Sequence, residues 1–282
     1  IDVMDAVGSN IHADSRGGEV LRILPRLNED VNEEWISDKT RFVYDGLVKK
    51  RLDRPWIRDA ETNKLREADW AEAFMVIKNK LSGLKGDQVA ALAGDLCDLE
   101  SMAALKDLMA SLGSQNIDCR TDGTAYDVTN RAGYTFNSGI TAIEDADAIL
   151  LIGTNPRYEA TMVNARIRKA HVNNRTKIAV FGEEADLGYP YMHLGSSYAD
   201  LEKFVKARSG FTKFFKDAER PMMIIGASIF TGEDALALHA AMYEMAEKFG
   251  VVKDGWNGFN ILQTAASRVG GLDLGFVPGL EG

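Results

Sequence analysis

The sequence predicts an α/β fold in which mostly parallel, Rossmann-like sheets carry flanking helices, preceded by a small β-rich region. Short apolar segments at residues 146–152, 177–181 and 221–225 have the length and composition of buried strands. Helix-length segments separate them, which favours right-handed crossovers and a parallel sheet. The 282 residues are enough to bury a large core, which we expect to be divided between two subdomains.

Residues 1–66 are predicted to form the small β-rich region. The stretches 10–13 and 19–23 have the pattern of short strands, and they flank Arg16, Gly17 and Gly18, a turn sequence typical of a β-hairpin. Pro25 and Pro55 interrupt the rest of this region, so it is expected to be irregular.

Residues 67–282 are predicted to form the α/β domain. Asp69 is placed to cap a helix whose apolar residues recur at spacings of four, three and four from Trp70 to Leu81. Residues 88–93 have the pattern of a buried strand, and Asp98 is placed to cap a helix whose apolar face runs to Leu112. The later predicted elements are strands at 146–152, 177–181 and 221–225 and helices at 161–171, 201–208, 235–249 and 261–269.

Composition and charge exclude several classes of function. The net charge of −9 argues against a nucleic-acid partner, because binders of the phosphate backbone need a positive face. The two cysteines, Cys97 and Cys119, cannot supply the four thiolates of a typical iron–sulfur cluster. No apolar run is long enough to span a bilayer and no basic leader opens the chain, which begins with Ile1. We expect it to be a piece of a longer polypeptide.

A turn comes after the strand predicted at residues 146–152. It has the sequence Gly153, Thr154, Asn155 and Pro156, and it lies where open parallel sheets bind their ligands. Glycine lets a ligand approach the backbone, and the next helix offers free N–H groups to an anion. Many plain strand-to-helix turns have such a sequence, so this pattern alone leaves both interpretations open.

Residues 144–156 resemble the pattern E-D-A-D-x-x-x-x-x-G-S-N-P of molybdopterin oxidoreductases. In that family the turn lies against the pterin dinucleotide, so the resemblance implies a vestigial cofactor site at Gly153, Thr154, Asn155 and Pro156. The family often places Asp-Pro-Arg after its next strand. Here residues 182–184 read Gly-Glu-Glu, and the expected carboxylate is missing from its place.

Residues 31–42 resemble a second segment of the same family, N-x-G-x-L-C-x-K-G-R-F. Its Cys, a ligand of a [4Fe–4S] cluster, falls on Ser37, and the Gly beside the Lys falls on Thr40. A hydroxyl is a poor substitute for a thiolate. The resemblance therefore implies a lost cluster ligand at Ser37, and we expect the neighbouring Lys39 and Arg41 to make structural ion pairs or subunit contacts.

Four stretches are similar to the large iron–sulfur subunits of respiratory NADH:quinone oxidoreductase, complex I: residues 5–11, 22–42, 153–169 and 267–276. This resemblance implies a non-catalytic scaffold in the hydrophilic arm, with no catalytic residue, cluster or molybdenum of its own and with iron–sulfur clusters elsewhere in the full-length subunit. The implied partners are other subunits of that arm. The implied location is peripheral, at the cytoplasmic face of the bacterial inner membrane or on the mitochondrial matrix side, without direct membrane insertion.

Two other functions stay open at this point. One is a working pterin-dependent oxidoreductase similar to formate dehydrogenase, and the other is a nucleotide-binding Rossmann-like module. The surface is also undecided: Trp35 and Trp56, near Arg41 and Arg54, either form a partner-facing patch or seal the N-terminal region onto the sheet.

Overall fold

The computed structural model describes residues 1–208 and 210–278, so residues 279–282, the end of the predicted α/β domain, lie outside the described residues. The N-terminal region begins with a β-hairpin. Its strands β1 (Ile11–Arg16) and β2 (Glu19–Pro25) are antiparallel, and Gly17 and Gly18 both have positive φ in the turn that joins them. The hairpin prediction is therefore confirmed. The other elements of this region are α1 (Asp38–Phe42), β3 (Trp56–Arg58) and β4 (Leu65–Glu67), of which β3 and β4 form a second antiparallel hairpin.

A short parallel unit comes next, made of α2 (Trp70–Leu81), β5 (Ala91–Leu92), α3 (Leu99–Ser111) and β6 (Ile117–Asp118). Asp69 and Asp98 cap α2 and α3 as predicted, each carboxylate accepting a bond from a backbone N–H in the first turn. The strand predicted at 88–93 is only two residues long, and Leu92 within it is exposed. The helix predicted up to Leu112 has exposed leucines at Leu99 and Leu108, because α3 turns Met102 and Met109 to the core instead.

The centre of the molecule is a five-stranded parallel sheet of order β13-β10-β7-β8-β9. Its strands are β7 (Ala148–Ile152), β8 (Lys177–Phe181), β9 (Met192–His193), β10 (Pro221–Gly226) and β13 (Phe259–Leu262). The helices between and after them are α4 (Pro156–Glu159), α5 (Thr161–Asn174), α6 (Tyr198–Lys206), α7 (Gly210–Asp217), α8 (Ala235–Lys248) and α9 (Arg268–Asp273). A small hairpin of β11 (Val252–Lys253) and β12 (Trp256–Asn257) precedes β13.

Side chains from the two faces of the sheet build two separate cores. Leu150 of β7 and Met223 of β10 face a core that also contains Phe204, Phe215 and Phe249 from α6, α7 and the end of α8. The alternating neighbours on the same strands face a second core under α5, whose members include Ile149, Leu151, Val163, Ile167 and Ile224. This period-two alternation places helices on both sides of the sheet, so the predicted α/β fold class is confirmed.

The helix predicted at residues 261–269 is wrong. Residues Phe259–Leu262 form β13, which pairs with β10 so that Met223 lies opposite Phe259 and Gly226 opposite Leu262. The helix begins only at Arg268. A run of four apolar and amide residues has no readable period, so a buried edge strand and a buried helix turn look the same in sequence.

Candidate functional site

The predicted turn lies at the carboxyl edge of the sheet, directly after β7. Gly153 has φ near +58° and donates its N–H to the carbonyl of Phe181 at 2.8 Å. Gly226, which ends β10, is packed against it, because a Cβ on Gly226 would lie 2.2 Å from the carbonyl oxygen of Gly153. Only glycine allows this approach of two backbones, so the turn is held in a fixed position.

An internal carboxylate already occupies the start of the helix after this turn. Glu159 accepts a bond from the Thr154 hydroxyl at 2.7 Å and one from the backbone N–H of Asn155 at 2.9 Å. Pro156 is the first residue of α4 and has no N–H to offer. Two of the donors at this turn, the Thr154 hydroxyl and the Asn155 N–H, are therefore paired with a carboxylate of the same chain.

The space above Gly153 is filled by the loop after β10. A Cβ on Gly153 would lie 2.5 Å from the Ile229 side chain, and Ser228 donates its hydroxyl to the Gly153 carbonyl at 2.6 Å. Asn155 Oδ1 is buried without a hydrogen bond among the described residues, but it is an acceptor, which a phosphate oxygen cannot satisfy. Ile229 takes the space beside Gly153, and the carboxylate of Glu159 takes two donors of the turn, so the residues present do not fit a dinucleotide phosphate there.

Ser37, the predicted position of a lost cluster ligand, caps α1 inside the N-terminal region. Its hydroxyl accepts a bond from the Thr40 N–H at 3.3 Å and lies 2.9 Å from the Thr40 hydroxyl, which donates to Asp2 at 2.6 Å. All three residues are buried. Ser37 and Thr40, which stand where the oxidoreductase pattern has Cys and Gly, are thus bonded to each other, and their hydroxyl groups are used within that chain of bonds.

Lys39 connects this region to the candidate turn. Its ammonium group donates to the carbonyl of Met4 at 3.3 Å and to the carbonyl of Tyr158, in α4, at 3.2 Å. Ion pairs or subunit contacts were expected of Lys39; within residues 1–208 and 210–278 it contacts these carbonyls and makes no ion pair, and the expected subunit contact stays a prediction. Lys39 therefore joins α1 to α4, the element that carries Glu159.

A charged network that the sequence reasoning missed fixes the N-terminal region to α5. The guanidinium of Arg166, in α5, is almost fully buried and binds Glu144 and Glu33, and Lys169 binds the same two carboxylates. Burial alone would raise the pKa of Glu144, but hydrogen bonds from Arg166 and Lys169 outweigh it and lower that pKa. Because Arg166 and Lys169 are three residues apart in a predicted helix, the sequence places them on the same helix face. Nothing in the sequence pairs them with Glu33.

The cysteines and histidines do not form a metal site in the part of the chain that the structure describes. No three His, Cys, Asp or Glu side chains converge there. The Cys119 thiol packs against Gly271, and burial raises its pKa, so it is suited to a structural role. His239 is buried beside Phe230 and Tyr243, and burial lowers its pKa.

Comparison with known proteins identifies two family models. Residues 51–282 match the model of the molybdopterin oxidoreductases. Residues 1–45 match a model described as the 4Fe-4S domain of NADH-ubiquinone oxidoreductase NDSU1/NuoG-like proteins.

Curated relatives agree with these matches. The chain is 46% identical over 99% of its length to the mitochondrial NADH dehydrogenase [ubiquinone] iron-sulfur protein 1 of Solanum tuberosum. It is 43% identical over 98% of its length to the G subunits of the NADH-quinone oxidoreductases of Rickettsia felis and Rickettsia conorii. It spans 38% of the potato protein and 41% of the rickettsial ones.

A solved structure supports the fold alone. A chain of the formyltransferase/hydrolase complex from Methylorubrum extorquens, determined with methylofuran, superposes with a TM-score of 0.53 at 16% identity, covering 79% of this chain and 66% of that one. Within residues 1–208 and 210–278, no helix has the length and apolar content needed to cross a bilayer. Together the family models and the relatives show that the chain belongs to the molybdopterin oxidoreductase family, in the form shared with the large iron–sulfur subunit of NADH:quinone oxidoreductase.

Proposed function

We propose that these residues are a non-catalytic scaffold within the large iron–sulfur subunit of NADH:quinone oxidoreductase, holding neighbouring subunits of the hydrophilic arm without binding iron or molybdenum. The observation that carries the proposal is the similarity to such subunits along 98–99% of the chain. The parent enzyme passes electrons from NADH to quinone. In this proposal residues 1–66 and 67–282 act as two parts of one support, at the cytoplasmic face of the bacterial inner membrane or on the mitochondrial matrix side.

The contacts at the two candidate positions support a scaffold without cofactor. A working pterin site needs donors free to bind phosphate, and here Thr154 and Asn155 donate to Glu159. A cluster needs thiolates, and here the cluster position is Ser37, whose hydroxyl is bonded to Thr40. In this interpretation Gly153, Thr154, Asn155 and Pro156 keep the architecture of a cofactor turn after its ligand has been replaced by a carboxylate.

The retained parts of the site have a mechanical role in this proposal. Lys39 links α1 to α4, and the network of Arg166, Lys169, Glu33 and Glu144 links the N-terminal region to α5. Both links cross between the segment that matches the 4Fe-4S domain model and the segment that matches the oxidoreductase model. The chain would thereby hold a cluster-bearing neighbour at a fixed position relative to the rest of the arm.

Two measurements test the proposal together. A tagged form of the chain, expressed in bacteria that make the respiratory enzyme, should co-purify with membrane NADH:quinone oxidoreductase activity. The isolated chain should contain neither iron nor molybdenum at stoichiometric level by inductively coupled plasma mass spectrometry. A pterin released on acid oxidation and detected by its fluorescence would instead establish the formate-dehydrogenase-like alternative, whereas purification without any respiratory subunit would contradict the scaffold.

A further inference from the structure

Helix α2 is amphipathic, but almost none of it is buried. Ala73 is its one buried side chain among the described residues, while Trp70, Phe74 and Ile77 are 63%, 60% and 51% exposed. A helix in a globular protein normally packs its apolar stripe on a core. A contiguous stripe of three large apolar side chains exposed to solvent is typical of a surface that another polypeptide covers.

The exposed stripe borders a groove with a definite shape. The β3–β4 hairpin lies beside α2, and the space between them, which we name the tryptophan groove, is lined by Trp56, Trp70 and Ile77 and encloses about 900 Å³. Trp56 is 44% exposed, so it does not seal the N-terminal region onto the sheet. The ring of Phe74 extends the wall, with its centroid 5.6 Å from that of Trp70. Exposed tryptophans beside a groove are the residue type that dominates binding energy at protein interfaces.

The charge around the groove is opposite in sign to that of the whole chain. The charged side chains that line it are Arg54, Arg58 and Lys80 against Asp53 and Asp59, a net charge of +1 within a chain of net charge −9. Two arginines hold four of the six carboxylates between residues 53 and 72: Arg54 binds Asp53 and Glu67, and Arg66 binds Glu72 and, at 3.9 Å, Asp59. The surplus is left on exposed groups such as Lys78 and Lys80, at the end of α2, which make no ion pair among the described residues.

These observations specify the partner by its chemistry. Apolar side chains are needed to cover Trp70 and Ile77, and carboxylates are needed near Lys78 and Lys80. A nucleic acid or an anionic membrane fits less well, because it extends far beyond the groove and meets the rest of a chain whose net charge is −9, whereas a short acidic segment meets only the groove. We propose that the tryptophan groove is a docking site for an acidic, amphipathic segment of a partner polypeptide, an inference that rests on the proposed scaffold function and names the surface and the class of its occupant.

Zero-length cross-linking of the assembled enzyme tests the proposal directly. A carbodiimide joins a lysine to a carboxylate only when the two are in contact. In respiratory enzyme purified with this chain in place, Lys78 and Lys80 should form cross-links to Asp or Glu residues of another subunit, identified by mass spectrometry. Cross-links only to a second copy of the chain, or only to carboxylates of the same polypeptide, would overturn the proposal. So would the absence of any cross-link if the α2 amides also exchange hydrogen as fast in the enzyme as in the isolated chain.

Matched variants separate docking from folding. Trp70→Ser and Lys80→Glu should each reduce recovery of the chain with the enzyme by about tenfold, the size expected of a central interface residue. Leu236→Ser on α8 and Lys213→Glu on α7 make similar changes at exposed positions far from the groove in sequence, and recovery should be unchanged. All four should keep the circular dichroism spectrum of the wild type, since every replaced side chain is exposed.

The outcome also distinguishes the docking site from the scaffold function on which it rests. Full recovery of Trp70→Ser and Lys80→Glu with the respiratory enzyme would overturn the docking site and leave the scaffold function standing. Failure of the wild-type chain to assemble with the enzyme would overturn both.

Discussion

In the five-stranded sheet, the side chains of β7 and β10 are buried on both faces, whereas α2 and the neighbouring β3–β4 hairpin leave their largest apolar side chains in solvent. The strands β7 and β10 are apolar throughout, and α2 carries large apolar side chains along one stripe. What differs is the number of neighbours: β7 lies between two strands and under helices on both sides, while α2 has one buried residue with which to hold its position. An apolar segment is therefore expected to be covered by other atoms, but its sequence does not say whether those atoms come from these 282 residues or from another polypeptide.

Identical substitutions in the two regions should have very different effects. Ile224→Ala removes a fully buried side chain from the centre of β10 and should lower the free energy of unfolding by about 3–4 kcal/mol, through lost burial and the cavity left behind. Ile77→Ala, at an exposed position of α2, should change it by less than about 0.5 kcal/mol. Urea denaturation followed by circular dichroism measures both. A large loss in the α2 variant would show that the helix is packed in the isolated chain.

Breaking a buried ion pair should likewise lower the free energy of unfolding more than breaking an exposed one. Arg166→Met leaves Glu33 and Glu144 with Lys169 alone, and because these carboxylates are about three-quarters buried, we expect a loss of about 2–3 kcal/mol. Arg157→Met breaks the pair with Asp186, in which both side chains are largely exposed, and should cost less than about 1 kcal/mol.

Thermal melting of the two arginine variants at matched salt measures the difference. The Arg166 variant should also lose protection from limited proteolysis between residues 1 and 66, because the network is what attaches that region to α5. Equal melting temperatures for the two variants would mean that the network does not connect the regions.

The same network predicts a dependence on pH. The pKa of Glu144 is lower in the folded chain than its ordinary value of 4.5, since the hydrogen bonds from Arg166 and Lys169 outweigh burial. A carboxyl with a lowered folded pKa contributes stability that is complete above its unfolded pKa and is lost as the pH falls below 4.5 through the folded pKa. Wild-type stability should therefore fall more steeply than that of Glu144→Gln as the pH is lowered through 4.5. If the stabilities of the wild type and of Glu144→Gln fall in parallel as the pH is lowered, the ionised Glu144 carboxylate does not stabilise the network.

Much of the fold was predictable because its signals are local. The hairpin at Gly17 and Gly18 depends on a turn that few other residues can make, and Asp69 and Asp98 begin helices through bonds within their own first turn. The strand at 259–262 was missed because its assignment depends on pairing with β10, a contact from elsewhere in the chain. Period and length carry no information about that partner.

The candidate site divides in the same way. The position of the Gly153 turn at the carboxyl edge followed from the strand before it, and its role as a vestigial cofactor site stays a prediction, as does the role of Ser37. The pairing of Thr154 and Asn155 with Glu159, only a few residues along the chain, was within reach of a helix-capping argument. The contact of Ile229 with Gly153 was not, since it joins two loops through the packing of β7 against β10.

Removing the helix caps should have the smallest effect on stability, and it compares the packed helix α3 with the exposed helix α2 directly. Asp98→Ala removes the cap of α3, which buries Met102 and Met109, and should lower the global free energy of unfolding by about 1 kcal/mol. Asp69→Ala removes the same bond from α2. Because α2 is barely packed, we expect local fraying instead, with faster hydrogen exchange at α2 amides and a global change under about half of that in the Asp98 variant. If both substitutions lower the global stability equally, α2 unfolds with the rest of the molecule, and its exposed face belongs to a rigid part of the isolated chain and does not depend on a partner for its order.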